Sequence, residues 1–223
     1  EDVIMFIGHY GPALAGPKFV KTVPVWALCI AVQFLDYLWG AFVYFGIEHV
    51  RIEPGFTAVS PLDLYHMPWT HSLLMALVWS VVAGLVWSLI ARTQKRAGGV
   101  IIGLAVLSHW LTDLLVHVPD LALWPGGQMV GFGLWNNAPV ALTLEFGVLA
   151  AGLLLYVSAT RARGAFGKVS PWIFGALLVG LYSISFFAPP PETAQQFGPM
   201  AIILYTLVAF LAWLLCDRVR EPR

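Results

Sequence analysis

Six stretches of this chain, residues 23–47, 70–91, 98–116, 138–160, 171–188 and 199–216, are almost wholly apolar. Each approaches the ~20 residues that a helix needs to cross a hydrocarbon layer of about 30 Å. Inside such a layer the backbone has no water to bond, and a helix satisfies its own N–H and C=O groups. The runs predict an all-α integral membrane protein, a bundle of six transmembrane helices. Composition agrees, because only 11% of the 223 residues are charged, against about 25% in a soluble domain. The fifth run is the shortest, with Pro171 placed to start a helix and Pro189-Pro190-Pro191 placed to stop it.

Charge sets an expected orientation, since Lys and Arg collect in cytoplasmic loops. Lys18 and Lys21 precede the first run, Arg92, Lys95 and Arg96 join the second to the third, Arg161, Arg163 and Lys168 join the fourth to the fifth, and Arg218, Arg220 and Arg223 follow the sixth. These alternate segments hold every basic residue except Arg51, which predicts that both termini are cytoplasmic. The opposite loops carry Glu48, Glu53, Asp63, Asp120 and Glu192, as an extracytoplasmic surface would. A net charge of zero gives no reason to expect nucleic acid. The expected partners are membrane lipids, a lipid-like small molecule, and another membrane chain or a second copy. Cys29 and Cys216 sit in apolar runs and read as small core residues. No linker or repeat divides the chain, so residues 1–223 form one polytopic domain.

Against this apolar background a few ionisable groups stand out. Burying one in a bilayer costs about 2.5–3.5 kcal/mol or more, so each is expected to be paired, metal-bound or turned to a wet cavity. The third run contains SHWLTDLLVHVPD, where His109, Asp113 and His117 recur every four residues and stack on one helical face. Imidazole and carboxylate are the donors that zinc and related ions take, and i, i+4 spacing lets two reach one ion. A hydrogen-bonded pair tying two helices together is the plainer alternative for His109 and Asp113. HMPWTHS places His66 and His71 just before the second run, His71 between the cap-forming Thr70 and Ser72.

Asp36 lies roughly 20 Å along the first helix and Asp113 roughly 22 Å along the third, at 1.5 Å per residue. Glu145 enters the fourth helix from the other side, about 10 Å below its outer end. With His109 one turn before Asp113, four groups from three helices thus fall in one layer of the outer half of the membrane. His9, in MFIGHYGPALAG, reaches that layer only if the segment before Pro17 is re-entrant or half-spanning, a shape its Gly and Pro pattern suits. No ionisable residue falls between Lys168 and Asp217 except Glu192, so the last two helices read as scaffold.

The order GHY, FLD, HMPWTHS and SHWLTDLLVHVPDLALWP resembles the bacterial membrane-bound metal-dependent hydrolase family, the YdjM-like proteins. The likeness covers residues 8–125, the site half, and leaves 126–223 as scaffold helices. Carried over position by position, it implies metal ligands at His9, Asp36, His71, His109 and Asp113, with His66 at the first His of the family's H-R-G-x-T-H-S segment. Met67-Pro68 replaces the Arg-Gly of that segment, which removes a charge suited to a phosphoester.

The resemblance implies a hydrolase of the bacterial inner membrane. It would use a divalent metal ion, zinc by its ligand set, on a lipid-like or amphiphilic ester or phosphoester near the extracytoplasmic side. Glu145 or Asp120 is the expected general base, and His117 and His66 are expected to support the ligands from behind. The alternatives for the same polar layer are a proton or metal-ion pathway and an accessory subunit of a larger membrane complex.

Overall fold

The computed structural model describes residues 7–185 and 193–223. The Pro189-Pro190-Pro191 stop and Glu192 fall outside the described residues. The fold is mainly helical. Among the described residues, five helices are long and apolar enough to cross a membrane: α4 (Leu73–Ile90), α5 (Lys95–Val116), α6 (Ala138–Ala159), α7 (Ala165–Ser185), and α8 (Ala194–Ala212) with the π turn Trp213–Asp217 that extends it. The first apolar run is instead a bent pair, α2 (Val25–Val32) and α3 (Phe34–Tyr44), meeting at 50°; counted as one span, it brings the total to six.

The bend falls on Gln33, which ends α2 with a tight bond from its N–H to the Ile30 carbonyl and starts α3 by accepting from Tyr37 N. At this break the Val32 carbonyl turns toward α5. Ahead of the pair stands a short buried element, α1 (Tyr10–Ala15) between the 3-10 turns Ile7–His9 and Gly16–Lys18. Its residues 7–18 extend roughly 18 Å, about half a bilayer. α1 packs against α6 so closely that a Cβ on Gly152 would lie 2.3 Å from the Gly11 carbonyl oxygen. α3 and α8 meet in the same way at Gly40 and Gly198.

One end of the bundle gathers the basic segments. Thr22 bonds Gln94 at 3.2 Å, and Asp217 caps the start of α2 by accepting from Val25 N (2.8 Å) and Trp26 N (3.0 Å). There β5 (Thr160–Ala162) pairs antiparallel with β6 (Arg220–Pro222). Pro171 lies inside α7, not at its start. A proline cannot bond the carbonyl four residues back. That carbonyl, of Gly167, accepts instead from the buried Arg220 guanidinium, which also bonds Thr160.

The opposite end carries structure that the helical pattern did not predict. β1 (His49–Ile52) and β2 (Leu62–His66) form a hairpin, and β3 (Leu121–Ala122) pairs with β4 (Met129–Val130). The hairpin lowers Leu62, Leu64 and Met67 over the polar layer.

Candidate metal centre

Beneath that hairpin four histidines and two aspartates converge. His9 arrives on the turn before α1, Asp36 on α3, His71 on the turn before α4, His109 and Asp113 on α5, and His117 on the residue that ends α5. His9, His71, His109, His117 and Asp113 are all buried, while the Asp36 side chain keeps 20% of its surface exposed. Nε2 of His71 lies 3.3 Å from Nε2 of His109 and 3.4 Å from Asp36 Oδ1, and His109 Nε2 lies 3.5 Å from that same oxygen. Asp113 Oδ2 is 3.1 Å from His109 Nε2 and 3.7 Å from His71 Nε2. Its other oxygen, Oδ1, is 3.1 Å from His9 Nε2 and 3.8 Å from His117 Nε2.

Each imidazole is held from behind by its other nitrogen. His109 Nδ1 donates to the Val32 carbonyl freed at the bend, at 2.7 Å. His117 Nδ1 donates to Asp120 at 3.0 Å. His71 Nδ1 meets the Thr70 hydroxyl at 2.7 Å, and that hydroxyl lies 2.6 Å from Glu48 Oε2. A carboxylate only accepts, so Thr70 gives its one proton to Glu48 and must accept from His71 Nδ1–H. Glu48 is itself fixed by Trp69 N (2.8 Å) and Thr70 N (3.0 Å). Thr112 takes the corresponding place behind His9 at 2.6 Å, its own proton directed to the Ser108 or His109 carbonyl. Tyr205 on α8 donates to Asp36 Oδ2 at 2.9 Å, leaving Oδ1 turned inward.

Neutral imidazole with Nδ1–H engaged offers a lone pair at Nε2. The result is four such lone pairs and three carboxylate oxygens around one small cavity of about 50 Å³. Two overlapping sets, His9 with His109 and Asp113, and Asp36 with His71 and His109, are close enough to share an ion. A donor set of this kind, with every ring oriented by a second partner, is the arrangement metal sites use. The residues present therefore fit a divalent ion.

The other predicted site residues lie elsewhere. His66 is exposed at the end of β2, stacked on His49 across the hairpin. Asp120 orients His117 from outside the cavity. Glu145 is fully buried and faces the Ile7 backbone, Tyr182 and Trp135, the last of which is itself part of the cavity lining. Glu48, expected on an outer surface, is instead buried and tied to His71 through Thr70. The last two helices are not mere scaffold, since α8 brings Tyr205 and Phe197 to the cavity wall. Hydroxyls beside ligand candidates, Thr70 and Thr112, were the visible signals; Glu48 and Tyr205 had none.

Comparison with models of protein families, with curated proteins and with solved structures finds no match to this chain. The fold and the site define its class: a helical membrane protein enclosing a buried histidine–aspartate cluster able to hold a metal ion.

Proposed function

We propose that the chain is a membrane-embedded, metal-dependent hydrolase of amphiphilic esters or phosphoesters. One observation carries this reading: four buried imidazoles turn Nε2 toward the carboxylate of Asp113 while Nδ1 is tied down behind. Zinc is the ion that suits the set. Bonds of 2.0–2.1 Å in a tetrahedron give edges of about 3.3–3.4 Å, and Asp36, His71 and His109 stand 3.3, 3.4 and 3.5 Å apart. When bound, such an ion polarises an ester or phosphoester oxygen and acidifies water beside it.

The chain's own residues supply the rest. The cavity is too small for an amphiphile, but Met67 separates it from a groove of about 430 Å³ lined by Tyr65, Trp69, Asp120 and Met129. Substrate rests in that largely apolar groove and offers its ester past Met67. Asp120 holds His117 through its Nδ1–H and also lines the groove. The gathered Lys and Arg residues favour a cytoplasmic placement for the opposite end, which puts the groove on the extracytoplasmic side. The C-terminus shares the basic end. The order of the GHY, FLD, HMPWTHS and SHWLTD segments supports membership of the YdjM-like hydrolases and, with it, the bacterial inner membrane.

The test is hydrolysis of p-nitrophenyl esters of graded chain length and of bis-p-nitrophenyl phosphate by zinc-loaded protein in micelles. Turnover that rises with chain length and vanishes in His71→Ala is expected. No turnover of either class by the loaded wild type overturns the hydrolase reading.

A further inference from the structure

Seven inward donor atoms are more than one tetrahedral ion can use, and their arrangement is not that of a single shell. We propose that the centre holds two divalent ions bridged by Asp113, an inference that rests on the metal-binding part of the reading above.

The carboxylate of Asp113 divides the donors into two groups. Oδ2 faces His109 (3.1 Å) and His71 (3.7 Å), which are joined by Asp36 Oδ1; this makes a set of four. Oδ1 faces His9 (3.1 Å) and His117 (3.8 Å), a set of three. Donors that share one ion at about 2.1 Å lie no more than about 4.2 Å apart, and each histidine's distance to its Asp113 oxygen, like those of Asp36 to His71 and His109, falls within that limit. Four protein donors are what a closed site provides, and three are what a catalytic site provides.

His9 and His109 supply the spacing. Their rings are stacked with centroids 4.0 Å apart and only 11° from parallel, and each places Nε2 against a different oxygen of Asp113. Two ions carried on such parallel rings would be separated by nearly the ring spacing, and two-metal sites keep their ions about 3.5–4 Å apart. If His9 and His109 shared one ion, two stacked rings would have to tilt their Nε2 atoms toward a common point. His109 and His117, each four residues from Asp113, reach its two oxygens from one helix and its cap, so α5 with its terminal residue supplies a ligand to each ion and the bridge between them.

The experiment uses the full chain in detergent micelles, stripped of metal and titrated with Co²⁺, a spectroscopic substitute for zinc. Absorption gives the stoichiometry and electron paramagnetic resonance gives the coupling. The expected result is about two ions per chain, with cobalt signal intensity falling as the second ion binds, because spins bridged by a carboxylate couple. His117→Gln and His9→Gln are expected to reduce binding to one uncoupled ion, whereas His66→Gln on the exposed hairpin retains both. A wild-type protein that saturates with a single uncoupled ion overturns the two-ion centre and leaves the metal-binding reading standing. A wild-type protein that takes up neither cobalt nor zinc overturns both.

Discussion

Glu48 and His71 are joined through the single hydroxyl of Thr70, at 2.6 and 2.7 Å, so a carboxylate on the outer connection sets the tautomer of an imidazole inside the bundle. The relay fixes which nitrogen of His71 faces the cavity without touching the cavity itself. Removing a partner of this kind commonly lowers metal affinity 10–100-fold. Thr70→Val is therefore expected to weaken zinc retention by about that factor in competition with a chromogenic chelator. Thr70→Ser, which restores the hydroxyl, is expected to recover most of the loss.

The seat of His9 depends on backbone contact between α1 and α6. A methyl group on Gly152 would meet the Gly11 carbonyl oxygen at 2.3 Å, whereas one on Gly147 meets nothing within 4 Å. Overpacking of a tight contact costs about 1–3 kcal/mol. Gly152→Ala should lower thermal stability in detergent and displace His9, while Gly147→Ala should leave both unchanged.

At the other end, Pro171 and Arg220 form a compensating pair. The proline deprives the Gly167 carbonyl of its helical donor, and the Arg220 guanidinium supplies one while also holding Thr160. Arg220→Met strips the Gly167 carbonyl of its donor, while the Thr160 carbonyl keeps Arg223, and is expected to cost roughly 1–3 kcal/mol. Adding Pro171→Ala returns an N–H to the Gly167 carbonyl and should recover about 1 kcal/mol of that loss. Unfolding followed in mixed micelles would reveal the coupling as a departure from additivity.

His117 lies just beyond the end of α5. Burial disfavours its imidazolium, but the charges of Asp120 and Asp113 outweigh burial and hold its pKa above the ordinary histidine value. Protons therefore compete for this imidazole at higher pH than for an unperturbed histidine, and metal occupancy at His117 should fall as pH is lowered. Asp120→Asn removes one of the charges. Nitrogen-15 chemical shifts of the metal-free protein should show His117 titrating at lower pH in that variant.

Much of this architecture was legible in the sequence, and its gaps have physical causes. Hydropathy located the long helices because lipid leaves a helix no other way to satisfy its backbone. Depth along each helix placed Asp36, His109 and Asp113 in one layer, and there they meet. The same arithmetic could not orient Glu145, since depth carries no information about which way a side chain turns, and α6 presents Glu145 to Trp135 and Tyr182. The bend at Gln33 carried neither proline nor glycine to announce it. Glu48 could not be linked to Thr70 across 22 residues of hairpin, whose strands are too short to register in an apolar profile. Pro171 looked like a helix start because its remedy, Arg220, lies 49 positions further along.

Metal binding by this cluster is read most simply by elemental analysis of freshly purified wild type beside His109→Ala. His109 contributes to both overlapping donor sets, so its loss touches the whole centre. At least about one equivalent of zinc per chain, lost in the folded His109→Ala variant, is the predicted result. Wild-type protein that carries no metal and takes up none when offered zinc would contradict the account.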